Sequence, residues 1–126
     1  MKLGYGDFIE LVEEKISDIV NQYNINKNLV SPMKKMANAE LSGIKNEQGV
    51  KVIDGIDNGR DGIYVFPESS AIIVFKDDTP RMIEAEDDVL ADILAMSYVG
   101  RVIMNDRDEK EKSFAIAEKI GRFFNI

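Results

Sequence analysis

The sequence predicts a single α+β domain whose elements run in the order αα-ββββ-αα, with a small, mostly antiparallel sheet packed with helices. Three observations carry this reading. Apolar residues recur at helical spacing in the first third of the chain, give way to short runs of strand formers in the middle, and return to helical spacing at the end. The connectors between the strand-like runs are too short for the crossover that a parallel pair needs, which favours hairpins. The length of 126 residues is an ordinary size for one core, so 1–126 is read as one domain.

The elements follow in order. Asp7 is placed to cap a helix whose apolar positions are Phe8, Val12, Ile16, Ile19, Val20 and Tyr23, with Glu10, Glu13, Glu14, Lys15 and Asp18 on the other side. An Asn-rich turn over 21–28 follows. Ser31-Pro32 supplies a cap and a first-turn proline for a second helix carrying Met33, Met36, Ala37, Leu41 and Ile44. The stretch 46–49 ends it. Strands are expected over 50–53, 63–66, 71–75 and 81–85, because these runs are rich in Val, Ile, Tyr and Phe and the segments between them are rich in Gly, Pro, Asp and Ser. The run 71–75 is apolar on both faces and is expected in the middle of the sheet, covered by helices. Glu86-Asp87-Asp88 puts negative charge where a helix dipole favours it. The helix that follows, 89–104, has Asp92 and Arg101 as its only charged positions and should be buried. A turn over 105–108 leads to a last helix, 109–124.

Composition excludes several chemistries. The chain has no His and no Cys, so a Ser-His-Asp triad, a Cys-His pair and an ordinary zinc site are ruled out. Catalysis would need carboxylates, Lys, Tyr, Ser/Thr or a hard metal on oxygen ligands. No run of about 20 apolar residues and no secretory leader is visible, so the cytoplasm is the default location. The net charge of −7 argues against nucleic acid and anionic membranes as partners. That charge is local. Residues 1–45 carry six basic and six acidic side chains, and 89–126 again six of each, whereas 46–88 carry four basic against eleven acidic.

Each candidate constellation meets a blander reading. Asp57, Asp61, Gly62 and Glu68 sit at positions 1, 5, 6 and 12 of an EF-hand-like loop. However, Gly59 at position 3 offers no ligand, Pro67 blocks the exiting helix, and both flanks read as strands, so a Gly/Asp-rich loop is preferred. The glycines of this segment do not make a phosphate loop, since a strand follows and Asp54, Asp57 and Asp61 would repel the anion. Glu84, Glu86, Asp87 and Asp88 could hold Mg²⁺, but acids at a helix N-terminus are commonplace. Ser69-Ser70 has no histidine to activate it, and nothing in the spacing of Lys51 or Lys76 supplies a substitute. The basic residues near the C-terminus alternate with acids, as on a solvated helix face.

The leading expectation is a non-catalytic, acidic interaction module: an inhibitor, a sequestering protein or an assembly accessory, of a composition that suits a bacterial or phage protein. It would present loops to a protein partner with a basic surface. Asp54, Asp57, Arg60, Asp61, Asp77 and Asp78 are the expected contact residues, and the loops 54–61, 76–79 and 84–88 are expected to form one negative patch at one end of the sheet. No cofactor or metal is expected. Homo-oligomerisation through the 89–104 and 109–126 helices is a further expectation. The alternatives are a small-ligand or ion-binding protein that uses the 54–68 loop or a subunit-interface pocket, and a Mg²⁺-dependent enzyme.

Overall fold

A computed structural model describes residues 1–44, 49–54 and 61–124, with residues 53 and 54 described by their backbone alone. The expected order is observed. Helix α1 spans Tyr5–Gln22, a 3₁₀ turn spans Lys27–Leu29, and α2 spans Val30–Ser42. The strands are β1 (Val50–Asp54), β2 (Gly62–Phe66), β3 (Ala71–Lys76) and β4 (Thr79–Glu84), followed by α3 (Asp87–Ile103) and α4 (Lys112–Phe123). The strands form an antiparallel meander in the order β1-β2-β3-β4.

Helix α3 is the hub. Leu90, Ile93, Leu94, Ala95, Tyr98, Val99 and Ile103 are buried on it, which is why its sequence shows no polar face. It is packed by α1, α2 and α4 and lies against β1. Its apolar surface is therefore used inside the chain. The small residues Ala91 and Ala95 are fully buried. Among the described residues, the large apolar side chains left exposed on the C-terminal helical side are Met104, Phe114 and Phe123.

The starts of the helices differ from the expected ones for local reasons. Helix α1 begins at Tyr5 with extended Gly4 as its cap, and Asp7 makes no capping bond but lies inside the first turn, where its charge still favours the dipole. Helix α2 does not begin at a Ser31 cap. The chain is already turning through the 3₁₀ segment, and Asn26 is the cap, accepting the Asn28 N–H at 3.0 Å. Pro32 then falls in the first turn, where its missing N–H costs no hydrogen bond. Before α4, Asp106 Oδ1 accepts the N–H groups of Asp108 and Glu109, and the helix starts only at Lys112.

The sheet departs from expectation in its cover. Ile63, Val65, Ile72 and Val74 are buried and belong to the core under the helices. The alternate residues of the same strands, Tyr64, Phe66, Ile73 and Phe75, are only half-buried and lie outside that core. β3 is an interior strand as expected, but the described helices cover one of its faces, not both. The reason is topological. Both helical pairs return to the same side, because α3 follows β4 directly and α1 packs on α3.

Candidate functional site

At the end of the sheet where the β3–β4 hairpin turns, Lys76 pairs with Thr79 across a two-residue turn, Asp77-Asp78. Both aspartates have left-handed backbone angles, φ 52° and 60°, as a type I′ turn requires. Asp tolerates this region better than most residues because its short side chain can bond locally. The turn is tied to its neighbour, since Asp77 N–H donates to Asp61 Oδ1 at 3.2 Å. Asp61 directly precedes β2, whose first residue, Gly62, pairs with both Phe75 and Asp54. The backbone of Asp54 therefore ends at the same place.

Of the six expected contact residues, Asp61, Asp77 and Asp78 are brought together, and the backbone of Asp54 joins them. Asp57 and Arg60 lie outside the described residues. The single patch built from three loops is corrected, however. Ala71 pairs with Glu84, and Ala85 N–H donates to Ser70 O at 2.9 Å, so the 84–88 segment sits at the opposite end of the strands, beside the 67–70 turn. There the acids have structural duties: Asp87 Oδ2 accepts the N–H groups of Lys2 and Leu3 at 3.1 and 2.9 Å, and Glu86 meets Lys2 at 3.9 Å. The EF-hand-like pattern also fails geometrically. Strand β2 runs between Asp61 and Glu68, which separates these two presumed ligands by more than ~15 Å. Among the described residues no group of three or more acids is placed to hold a metal ion.

Two features escaped the sequence reading. The first is the outer face of the sheet. Register aligns Lys51, Tyr64, Ile73 and Met82 in one row across the four strands, with Phe66 and Phe75 on the same face to either side. Lys51 Nζ lies 5.5 Å from the Tyr64 ring centre, and Met82 is 68% exposed. The Phe66 ring folds over Gly49 so closely that a Cβ there would stand 2.6 Å from it. The signal was present in the two-sided apolar runs 63–66 and 71–75.

The second feature is a cleft of about 1090 Å³ between the end of α2, β1, α3 and α4, lined by Ile44, Val50, Val52, Met96, Met104, Ile116 and Ile120 among others. One wall carries Arg101, whose Nη1 donates to Glu40 Oε2 at 3.0 Å and Nη2 to Lys51 O at 2.8 Å, while its guanidinium lies 5.3 Å from the Tyr98 ring centre. Tyr98 O–H donates to Glu40 Oε1 at 3.3 Å. Burial, and then the Glu40 carboxylate, push the Tyr98 phenol well above its ordinary value, with Arg101 partly opposing them. Because Glu40 already answers the Arg101 charge, the group clasps α2, β1 and α3 together and does not present a bare cation to the cleft. An Arg in a stretch, 89–104, whose one other charged residue is Asp92 was the available signal.

Comparison of the chain with protein-family models, with curated proteins and with solved structures gave no match in any of the three.

Proposed function

We propose that this protein is a non-catalytic interaction module that docks a basic protein partner through the acidic hairpin end of its sheet, to inhibit it, sequester it or join it to an assembly. The observation that carries the reading is the gathering of Asp61, Asp77 and Asp78 at one end of the strands. Like charges held close on a rigid hairpin raise the local potential and speed encounter with a basic surface by a factor on the order of 10–1,000, an effect that falls with salt. A turn built from two left-handed aspartates, where Asn-Gly would suit the geometry better, is also what selection for charge at that point would leave. Under this reading the exposed Phe114 and Phe123 of α4 (73% and 60%) are the side through which copies would self-associate.

The test is charge reversal. The protein and its Asp61→Lys/Asp77→Lys/Asp78→Lys variant are compared in crosslinking capture, with circular dichroism to establish that both are folded. Loss of basic partners from the variant supports the reading, and recovery of the same partners by both proteins ends it.

The cleft supports a second reading, a binder of small apolar ligands, because its volume suits such a molecule. A rise of several degrees in Tm with a bound apolar compound, lost when Met96 is changed to Lys, would favour it.

A further inference from the structure

We infer that the cleft beside α3 and α4 takes a neutral aliphatic amphiphile, an alkyl chain whose hydroxyl end lies against Arg101 and Glu40. The inference rests on the reading of this cleft as a small-ligand site and names the class of ligand. Gly100, in the last turn of α3, lies on the cleft wall. Its backbone is helical and its carbonyl accepts the Met104 N–H at 3.0 Å, so it is not a left-handed cap. Inside a helix only proline is less favourable than glycine, and packing within the chain does not call for one here. A Cβ at Gly100 would meet nothing closer than Ile116 Cγ2 at 4.0 Å, an ordinary contact. What the glycine does is keep side-chain atoms out of a cleft of about 1090 Å³.

The lining decides the occupant. Met96, Ile116 and Ile120 are buried, whereas Met104 is 62% exposed, so the cleft has a dry end and a wet one. Met96, Gly100 and Met104 follow one another at four-residue spacing on α3, about 12 Å of helix, which suits an extended chain of about eight carbons. None of the described lining residues is aromatic, so a planar ring has nothing to stack on. The flexible thioethers of Met96 and Met104 adapt to an alkyl chain instead. At the wet end the charges cancel. Arg101 and Glu40 meet at 3.0 Å, and their side chains are about one-third exposed. Glu40 accepts the Tyr98 O–H on one oxygen and Arg101 on the other, and Arg101 donates once from each Nη. A carboxylate can accept further bonds and a guanidinium has further N–H groups, so the pair offers an acceptor and donors side by side. An ammonium head would meet Arg101 and a carboxylate head would meet Glu40, each losing water beside a like charge. A hydroxyl donates to Glu40 and accepts from Arg101.

The test follows the methyl NMR resonances of Met96, Ile116 and Ile120 while n-octanol, octanoate or octylammonium is added. n-Octanol should bind saturably and on the order of tenfold more tightly than either charged probe. Gly100→Leu, which fills the cleft and should not lower Tm, should abolish that binding. Glu40→Gln leaves the Arg101 charge unanswered and should turn the preference toward octanoate by on the order of tenfold. Equal binding of all three probes, unchanged by Glu40→Gln, overturns the inference and leaves the cleft as an apolar-ligand site. A preference of the unaltered protein for octanoate overturns the inference as well, because Arg101 would then anchor an anion. Binding that survives Gly100→Leu undiminished overturns both readings of the cleft, as do shifts confined to Phe114 and Phe123 or no binding at millimolar n-octanol.

Discussion

The two faces of the sheet are built from the same strands and nearly the same residue types, yet they live in different surroundings. Ile72 and Ile73 are neighbours in β3, but Ile72 is fully buried in the core under the helices and Ile73 is half-buried outside that core. Strand formation asks for side chains that fit a pleated, half-buried surface and is satisfied by both. Global stability comes from the area removed from water, which is much greater on the helical side. The difference shows that β-propensity marks where strands form and leaves open how many of their faces the chain itself will cover.

The sharpest way to break the comparison is to shorten the same side chain on each face. Ile72→Ala should lower the unfolding free energy by about 2–4 kcal/mol, because it removes buried methylenes and leaves a cavity under α3. Ile73→Ala should cost no more than about 1 kcal/mol, since water can fill the vacated space. Urea melts of the two variants decide it, and equal losses would mean that the outer face is structurally covered.

What the sequence made legible follows the same line. The strands were found to within a residue or two because Val, Ile, Phe and Tyr cluster there between turn formers. Thr79-Pro80 reads as turn chemistry and so predicts a later start for β4; the strand begins at Thr79 because the I′ turn needs only Asp77-Asp78, and Pro80 is tolerated on an edge strand. The burial of α3 was legible in its lack of a polar face. Which side of the sheet it would occupy was not, because that depends on the direction of a chain reversal after Glu84 and on no single residue. The hairpin acids were legible as charges, but their union with Asp61 depended on strand register. Register also separated Glu84–Asp88 from them.

On the helical side, the clasp of Tyr98, Glu40 and Arg101 adds a dependence on pH. The Tyr98 phenol is raised above its ordinary value of 10 in the folded protein by burial and by Glu40. Above that pH the unfolded chain releases the Tyr98 proton while the folded protein keeps it. Stability from this group is thus complete below pH 10 and is lost as pH rises beyond it, with a slope approaching about 1.4 kcal/mol per unit. Tyr98→Phe should be a small change near neutrality, on the order of 1 kcal/mol for the hydrogen bond to Glu40. It should also flatten the alkaline limb. Denaturant midpoints measured from pH 8 to 12 test both; an alkaline limb as steep in the Phe variant would assign the titration to another group.

The smallest expected effect has an unusual sign, and it separates stability from docking. Asp77 and Asp78 occupy consecutive left-handed positions, at a cost in strain that Asn and Gly avoid, and they add negative charge at the end of the sheet that also holds Asp61. Replacing them by Asn-Gly should stabilise the protein by about 0.5–1 kcal/mol at low ionic strength, with the electrostatic share fading as salt is added. The register of β3 and β4 should be unchanged, because the replacement suits the same turn. The same variant should bind basic partners less well. If calorimetry shows Asn-Gly to be destabilising, the acids belong to the hairpin's own stability. If it is stabilising and docking is weakened, the aspartates are held there against the preference of the turn, and the charge they bring to that end of the sheet is the reason.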